Sequence, residues 1–184
     1  VGSEQPVRPG EVNWMTAGRG ITHSERFERL RREGGPIDGV QLWVALPDER
    51  EEMDPGFWHY GSEVLPVFEE DGVAGRLVAG RLAGLRSPVR VDSPQFYLHW
   101  ELRAGARASL PPDYSERAVY VARGEVEVDG QRLPPGSMAV LGAGKAVGIE
   151  ARSHAVVIAL GGEPVGPRWI DWNFVSSSKE RIEQ

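Results

Sequence analysis

The sequence predicts an all-β protein built from short antiparallel strands closed into a barrel or jelly roll. Three observations carry this expectation. Short apolar runs follow one another at regular spacing from about residue 64 to residue 162. The 23 glycines and 14 prolines punctuate the chain too often for long helices. A turn–strand–turn segment also occurs twice, 126 residues apart.

In chain order, the first copy of that segment is Val7–Arg19 and the second is Leu133–Lys145. Pro9/Pro135, Gly10/Gly136, Ala17/Ala143 and Gly18/Gly144 are identical. Val40–Leu46 alternates apolar and polar residues and stops at Pro47, as a strand does. Residues 48–62 are acidic and aromatic and read as a connection docked through Phe57, Trp58 and Tyr60. Clear strands follow at Phe96–Leu102, Ala118–Ala122, Glu125–Val128 and Ala155–Leu160, with turns at Arg123-Gly124 and Asp129-Gly130. Ser177-Ser178-Lys179-Glu180 has capping-box spacing and predicts a short closing helix from about Ser178. The second copy has about 60 residues of strand before Pro135, whereas eight residues precede Pro9. The expectation is that the opening strands of the first barrel are missing here and come from a separate fragment or a longer protein.

Composition excludes several functions. No cysteine is present, so disulfides, thiolate metal sites and cysteine nucleophiles are out. A reducing, cytoplasmic setting fits. The net charge of −6 gives no footprint for nucleic acid. Arg26, Arg29, Arg31 and Arg32 alternate with Glu25, Glu28 and Glu33, which describes a solvated, ion-paired face. No apolar run approaches the length of a bilayer span, and no charged-then-apolar leader opens the chain.

The chemistry concentrates in Gly18-Arg19-Gly20-Ile21-Thr22-His23-Ser24-Glu25. On a strand, His23 and Glu25 at i and i+2 share a face. Imidazole and carboxylate together make half of an iron-type site. Glu11 and Asn13 precede this pair and are candidates to line the pocket around it. His99 and Glu101 repeat the His-x-Glu spacing but read as a structural ladder pair. His59 is expected to pack or hydrogen-bond, His154 to face solvent, and Trp14 and Met15 to fill a core.

The block Pro9–Glu25 resembles the signature of the pirin family, within the cupin superfamily. Gly39–Pro47, Leu160–Val165 and Trp172–Ile182 resemble further blocks of the same family. The resemblance implies a bicupin: two jelly-roll barrels in tandem, the first incomplete here, the second complete, then a short C-terminal helix. It implies 1–63 as the C-terminal part of the metal-binding first cupin plus the connection. Residues 64–165 would be a second cupin without metal ligands, and 166–184 a closing strand and the start of a helix. It further implies three His and one Glu binding iron (Fe2+) or another divalent metal. Here His23 and Glu25 are the third His and the Glu, and the family's His-x-His would lie before Val1. Generic cupin ligand positions in the second barrel fall on Pro111, Asp113, Arg117 and Ala139. Some pirin-like proteins are quercetin 2,3-dioxygenases, so the implied activity is metal-dependent ring cleavage of a flavonol-like aromatic by O2. The alternative is a regulatory binding protein, a transcription cofactor or enzyme modulator, whose metal is redox-sensitive.

Overall fold

Alternating apolar residues dictate two facing sheets, because each strand presents one row of side chains to a shared core. The computed structural model describes residues 2–183, the Arg29 side chain excepted. In chain order the elements are β1 (Val12–Thr16), α1 (Glu28–Glu33), β2 (Gly56–Tyr60), β3 (Val67–Glu70) and β4 (Val73–Leu82). Next come β5 (Leu85–Arg86), β6 (Gln95–Leu102), β7 (Arg107–Leu110), β8 (Glu116–Arg123) and β9 (Val126–Val128). The chain continues through β10 (Gln131–Leu133), β11 (Met138–Leu141), β12 (Val147–Ala151) and β13 (Ala155–Gly162). It closes with β14 (Trp169–Asp171), β15 (Phe174–Ser176) and α2 (Lys179–Ile182). Two compact units result: residues 15–57 with 165–183, and residues 3–14 with 58–164.

The second of these units is a complete jelly roll. One sheet runs β11-β8-β13-β6-β4-β3, with β5 also on β4, and the other β10-β9-β12-β7. All the pairings in both sheets are antiparallel. Phe96, Leu98, Trp100 and Leu102 of β6 face Val126, Val128, Val147 and Ile149 of the smaller sheet in one buried core. On the outer face of the large sheet, Leu65, Ala79 and Val89 form a smaller cluster covered by Val12, Trp14 and Tyr60. Gly80 lies just beyond a register shift in the β4–β6 pairing. Its φ is +76°, and a Cβ there would collide with the carbonyl oxygen of Gln95. Only glycine fits both demands.

The repeat is visible in the backbone. In both copies a 3.0–3.2 Å turn hydrogen bond opens the segment, Glu11 N to Arg8 O and Ser137 N to Pro134 O. Gly10 and Gly136 have φ of +82° and +80°. The strand that follows is β1 in one copy and β11 in the other.

The other unit is held by polar contacts more than by a core. The Arg168 side chain is 7% exposed, pairs with Asp48 at 2.6 Å and Glu51 at 2.9 Å, and donates to the carbonyl of Leu46. Glu51 also accepts from the Ser177 N–H at 2.8 Å, and Arg181 pairs with Glu52 at 2.8 Å. These bonds fasten residues 165–181 to residues 46–52. The helix α2 is capped by the Ser178 hydroxyl, which accepts from the Arg181 N–H. The helix thus begins where the capping-box spacing placed it, at about Ser178. Arg26, Arg31 and Arg32 are exposed beside or on α1, whereas the Arg29 side chain lies outside the described residues.

Two sequence expectations differ from the structure. Val40–Leu46 forms no strand: among the described residues no other strand pairs with it, and Val40 and Trp43 are 48% and 60% exposed. A strand exists only through its ladder, so apolar alternation without a partner leaves extended chain. Conversely, the connection at 48–62 contains β2, which pairs with β1. Phe57, Trp58 and Tyr60 are good strand formers, and β1 offers them an edge.

Candidate metal centre

His23 and Glu25 follow the tight turn that ends the first repeat, where the Gly20 N–H bonds to the Ala17 carbonyl at 3.0 Å. Gly18 is indispensable to this turn, since a Cβ on it would strike the Met53 carbonyl. Residues 20–27 then run without regular secondary structure, and both His23 and Glu25 are exposed. Neither side chain has a hydrogen bond or ion pair among the described residues. Among those residues no three His, Asp or Glu groups cluster to hold a metal. As donors, a neutral imidazole and a carboxylate suit a divalent first-row ion such as Fe2+ and would supply two of its ligands.

Glu11 and Asn13 lie in the other compact unit and meet through a residue that the sequence placed in a linker. Asn13 Oδ1 is 2.8 Å from His59 Nδ1. An amide oxygen only accepts, so Nδ1 carries the hydrogen and Nε2 keeps its lone pair in the neutral ring. Nε2 is 3.9 Å from Glu11, whose carboxylate also accepts from the Arg8 N–H at 2.7 Å. The available signal for this trio was period two: Glu11 just before β1 and Asn13 on it, with an alternating Trp58-His59-Tyr60 on β2.

The second His-x-Glu behaves as a ladder pair. His99 and Glu101 lie on the outer face of β6, with His99 opposite Arg76 of β4 and Ile158 of β13. Burial holds the His99 pKa below its ordinary value; Glu101 raises it and Arg76 lowers it further. His154 is exposed, as read from its loop. In the jelly roll, Arg117 occupies the position where a generic cupin carries its carboxylate ligand. It is buried, and its guanidinium donates to the carbonyls of Leu110, Pro111, Gly142 and Lys145 at 2.6–3.4 Å.

Comparison with known proteins fits this architecture. The pirin family matches residues 1–44, and the pirin C-terminal cupin domain matches residues 97–184. The chain belongs to the pirin family. A pirin-like protein of Caulobacter vibrioides is 58% identical over all of this chain and 64% of its own length. Human pirin is 35% identical over 97% of this chain and 63% of its own. A crystal structure of quercetin 2,3-dioxygenase from Acinetobacter baumannii superposes with a TM-score of 0.87 at 27% identity, covering 96% of this chain and 64% of that one. A second quercetin 2,3-dioxygenase structure from the same organism gives 0.83 at 33% identity. The chain thus spans about three-fifths of the length of the relatives it matches. Among the described residues, no helix of this pirin is long and apolar enough to cross a membrane.

Proposed function

We propose that, in the whole protein, this pirin is a metal-dependent dioxygenase that opens a flavonol-like aromatic with O2, with His23 and Glu25 among the metal's ligands. The observation that carries the ligand assignment is the repeat. Its offset pairs His23 with Ile149 and Glu25 with Ala151, which are 2% and 1% exposed on β12 of the complete barrel. Both point into that barrel's core. A His and a Glu at the same two positions of a metal-binding barrel would point inward together, since i and i+2 share a face. The likeness to quercetin 2,3-dioxygenase structures supports the substrate class.

A bound divalent metal would supply activation of dioxygen and of an oxygen-donating substrate. The chain's own part is to present one neutral imidazole nitrogen and one anionic carboxylate oxygen. In the other compact unit, Asn13 fixes the hydrogen of His59 on Nδ1.

Oxygen consumption with quercetin tests the reading, using iron-loaded protein against His23→Ala and Glu25→Gln. Iron content is measured on the same samples. Both substitutions are expected to lower bound iron and to remove quercetin-dependent oxygen uptake. Equal uptake by all three proteins would sink the assignment.

A further inference from the structure

We infer that Arg168 is a positioning residue for the candidate metal ligands. Its buried guanidinium fixes the turn at residues 47–53, and that turn sets where the segment bearing His23 and Glu25 leaves β1. The inference rests on the reading of those two residues as ligands.

The N–H groups of residues 21–26 make no backbone hydrogen bond among the described residues, and the side chains of His23 and Glu25 are exposed. Their placement is therefore inherited from the ends of the loop that carries them. Both ends meet at one turn. At the near end the Arg19 N–H donates to the Met53 carbonyl at 3.0 Å. Gly18 lies so close to that carbonyl that no side chain fits between them. At the far end the Leu46 carbonyl accepts from the Arg168 guanidinium at 2.6 Å.

The turn between these anchors is tightly coiled. The Arg50 N–H bonds to the Pro47 carbonyl at 2.8 Å, the Glu51 N–H to Asp48 at 3.3 Å and the Met53 N–H to Arg50 at 3.1 Å. Glu51 and the Met53 carbonyl thus sit on one stiff coil, and what moves the first moves the second. Arg168 grips this coil through Asp48 and Glu51 while also donating to Leu46. Its planar fork reaches all three groups at once, which a lysine ammonium does not. Ser177 completes the grip, since its N–H and hydroxyl both donate to Glu51, at 2.8 and 3.0 Å. Without the guanidinium, a Glu51 side chain only 15% exposed loses its cation, and the coil must shift to bring it to water. The Arg181–Glu52 pair is exposed on both sides and contributes little. All these residues belong to one compact unit.

Hydrogen exchange and Co2+ titration on the whole protein test the inference, with Co2+ as a spectroscopically visible stand-in for Fe2+. In the metal-free protein, Arg168→Met should speed exchange of the Arg19 amide about tenfold, because its bond to Met53 opens more often. Arg168→Lys should fall between the two, and Arg181→Met should match the unaltered protein. With metal, Arg168→Met should weaken Co2+ binding about tenfold, a loss typical for residues that orient metal ligands. It should also shift the visible Co2+ bands, which report ligand geometry. Gly84→Ala destabilises the other compact unit and should move neither affinity nor bands, which separates positioning from lost stability. Co2+ bound by His23→Ala and Glu25→Gln as tightly as by the unaltered protein would overturn the ligand reading. Loss of Co2+ in those two variants, with affinity and bands unmoved in Arg168→Met, would overturn the positioning inference alone. So would an Arg19 amide that stays as protected in Arg168→Met as before, or an equal effect of Gly84→Ala on the Co2+ centre.

Discussion

Arg117 shows how one side chain can take over the place of a ligand. A guanidinium has five donors in a fixed fork, which lets it bridge the carbonyls of Leu110 and Pro111 on one loop to those of Gly142 and Lys145 on another. Removing it takes four hydrogen bonds from carbonyls that are buried or part-buried. Arg117→Ala is expected to cost about 3 kcal/mol in urea denaturation, and Arg117→Lys less, because an ammonium restores some of the donors. Equal losses for the two would show that an ammonium restores none of these bonds and that the whole contribution belongs to the guanidinium fork. His99 makes a pH-dependent contribution of the opposite kind. Its folded-state pKa is depressed, chiefly by burial. Below the unfolded value, the unfolded chain takes up the proton first, so stability falls as pH drops from about 6.5 towards the folded pKa and then levels off. His99→Gln should flatten that part of the stability–pH curve, as read from unfolding midpoints across the range.

At the scale of elements, glycines mark where strands must bend or approach closely. Gly80 and Gly84 both have positive φ, but only Gly80 would drive a Cβ into backbone, that of Gln95. Alanine at Gly84 meets nothing within 4 Å and pays the left-handed conformation alone, about 1 kcal/mol. Alanine at Gly80 should cost at least about 2 kcal/mol, because β4 and β6 must also part. Thermal unfolding of the two variants would separate the contributions. The repeat belongs to this scale too. Pro-Gly turns preceding β1 and β11 were legible in the sequence because turn geometry depends on residues adjacent in the chain. The strand at Val40–Leu46 was misread for the converse reason. Alternation says which face would be buried, not whether a neighbouring strand is there to pair with it.

Across the whole molecule, order is unevenly distributed. β6, β8 and β13 lie inside a six-strand path with bonds on both edges. Asp38 apart, residues 36–47 carry no backbone bond from their N–H groups among the described residues. Hydrogen exchange on this chain should find β6, β8 and β13 the slowest to exchange and 36–47 exchanged at the earliest time points. Protection of 36–47 comparable to that of β13 would contradict the pairing described above.

The sequence by itself determined the all-β class, the complete barrel, the closing helix and the family. Those follow from local periodicity, turn residues and a contiguous motif, all of which are written in neighbouring positions. It also singled out His23 and Glu25 by residue type and spacing. Only the tertiary structure decided that Asn13 and Glu11 meet His59, 46 and 48 residues away in sequence. It likewise decided that Arg168 holds residues 46–51 against the C-terminal segment, and that Trp100 keeps an unpaired, buried N–H. Such contacts depend on how strands are ordered and registered in space, and no local pattern in the chain encodes that order.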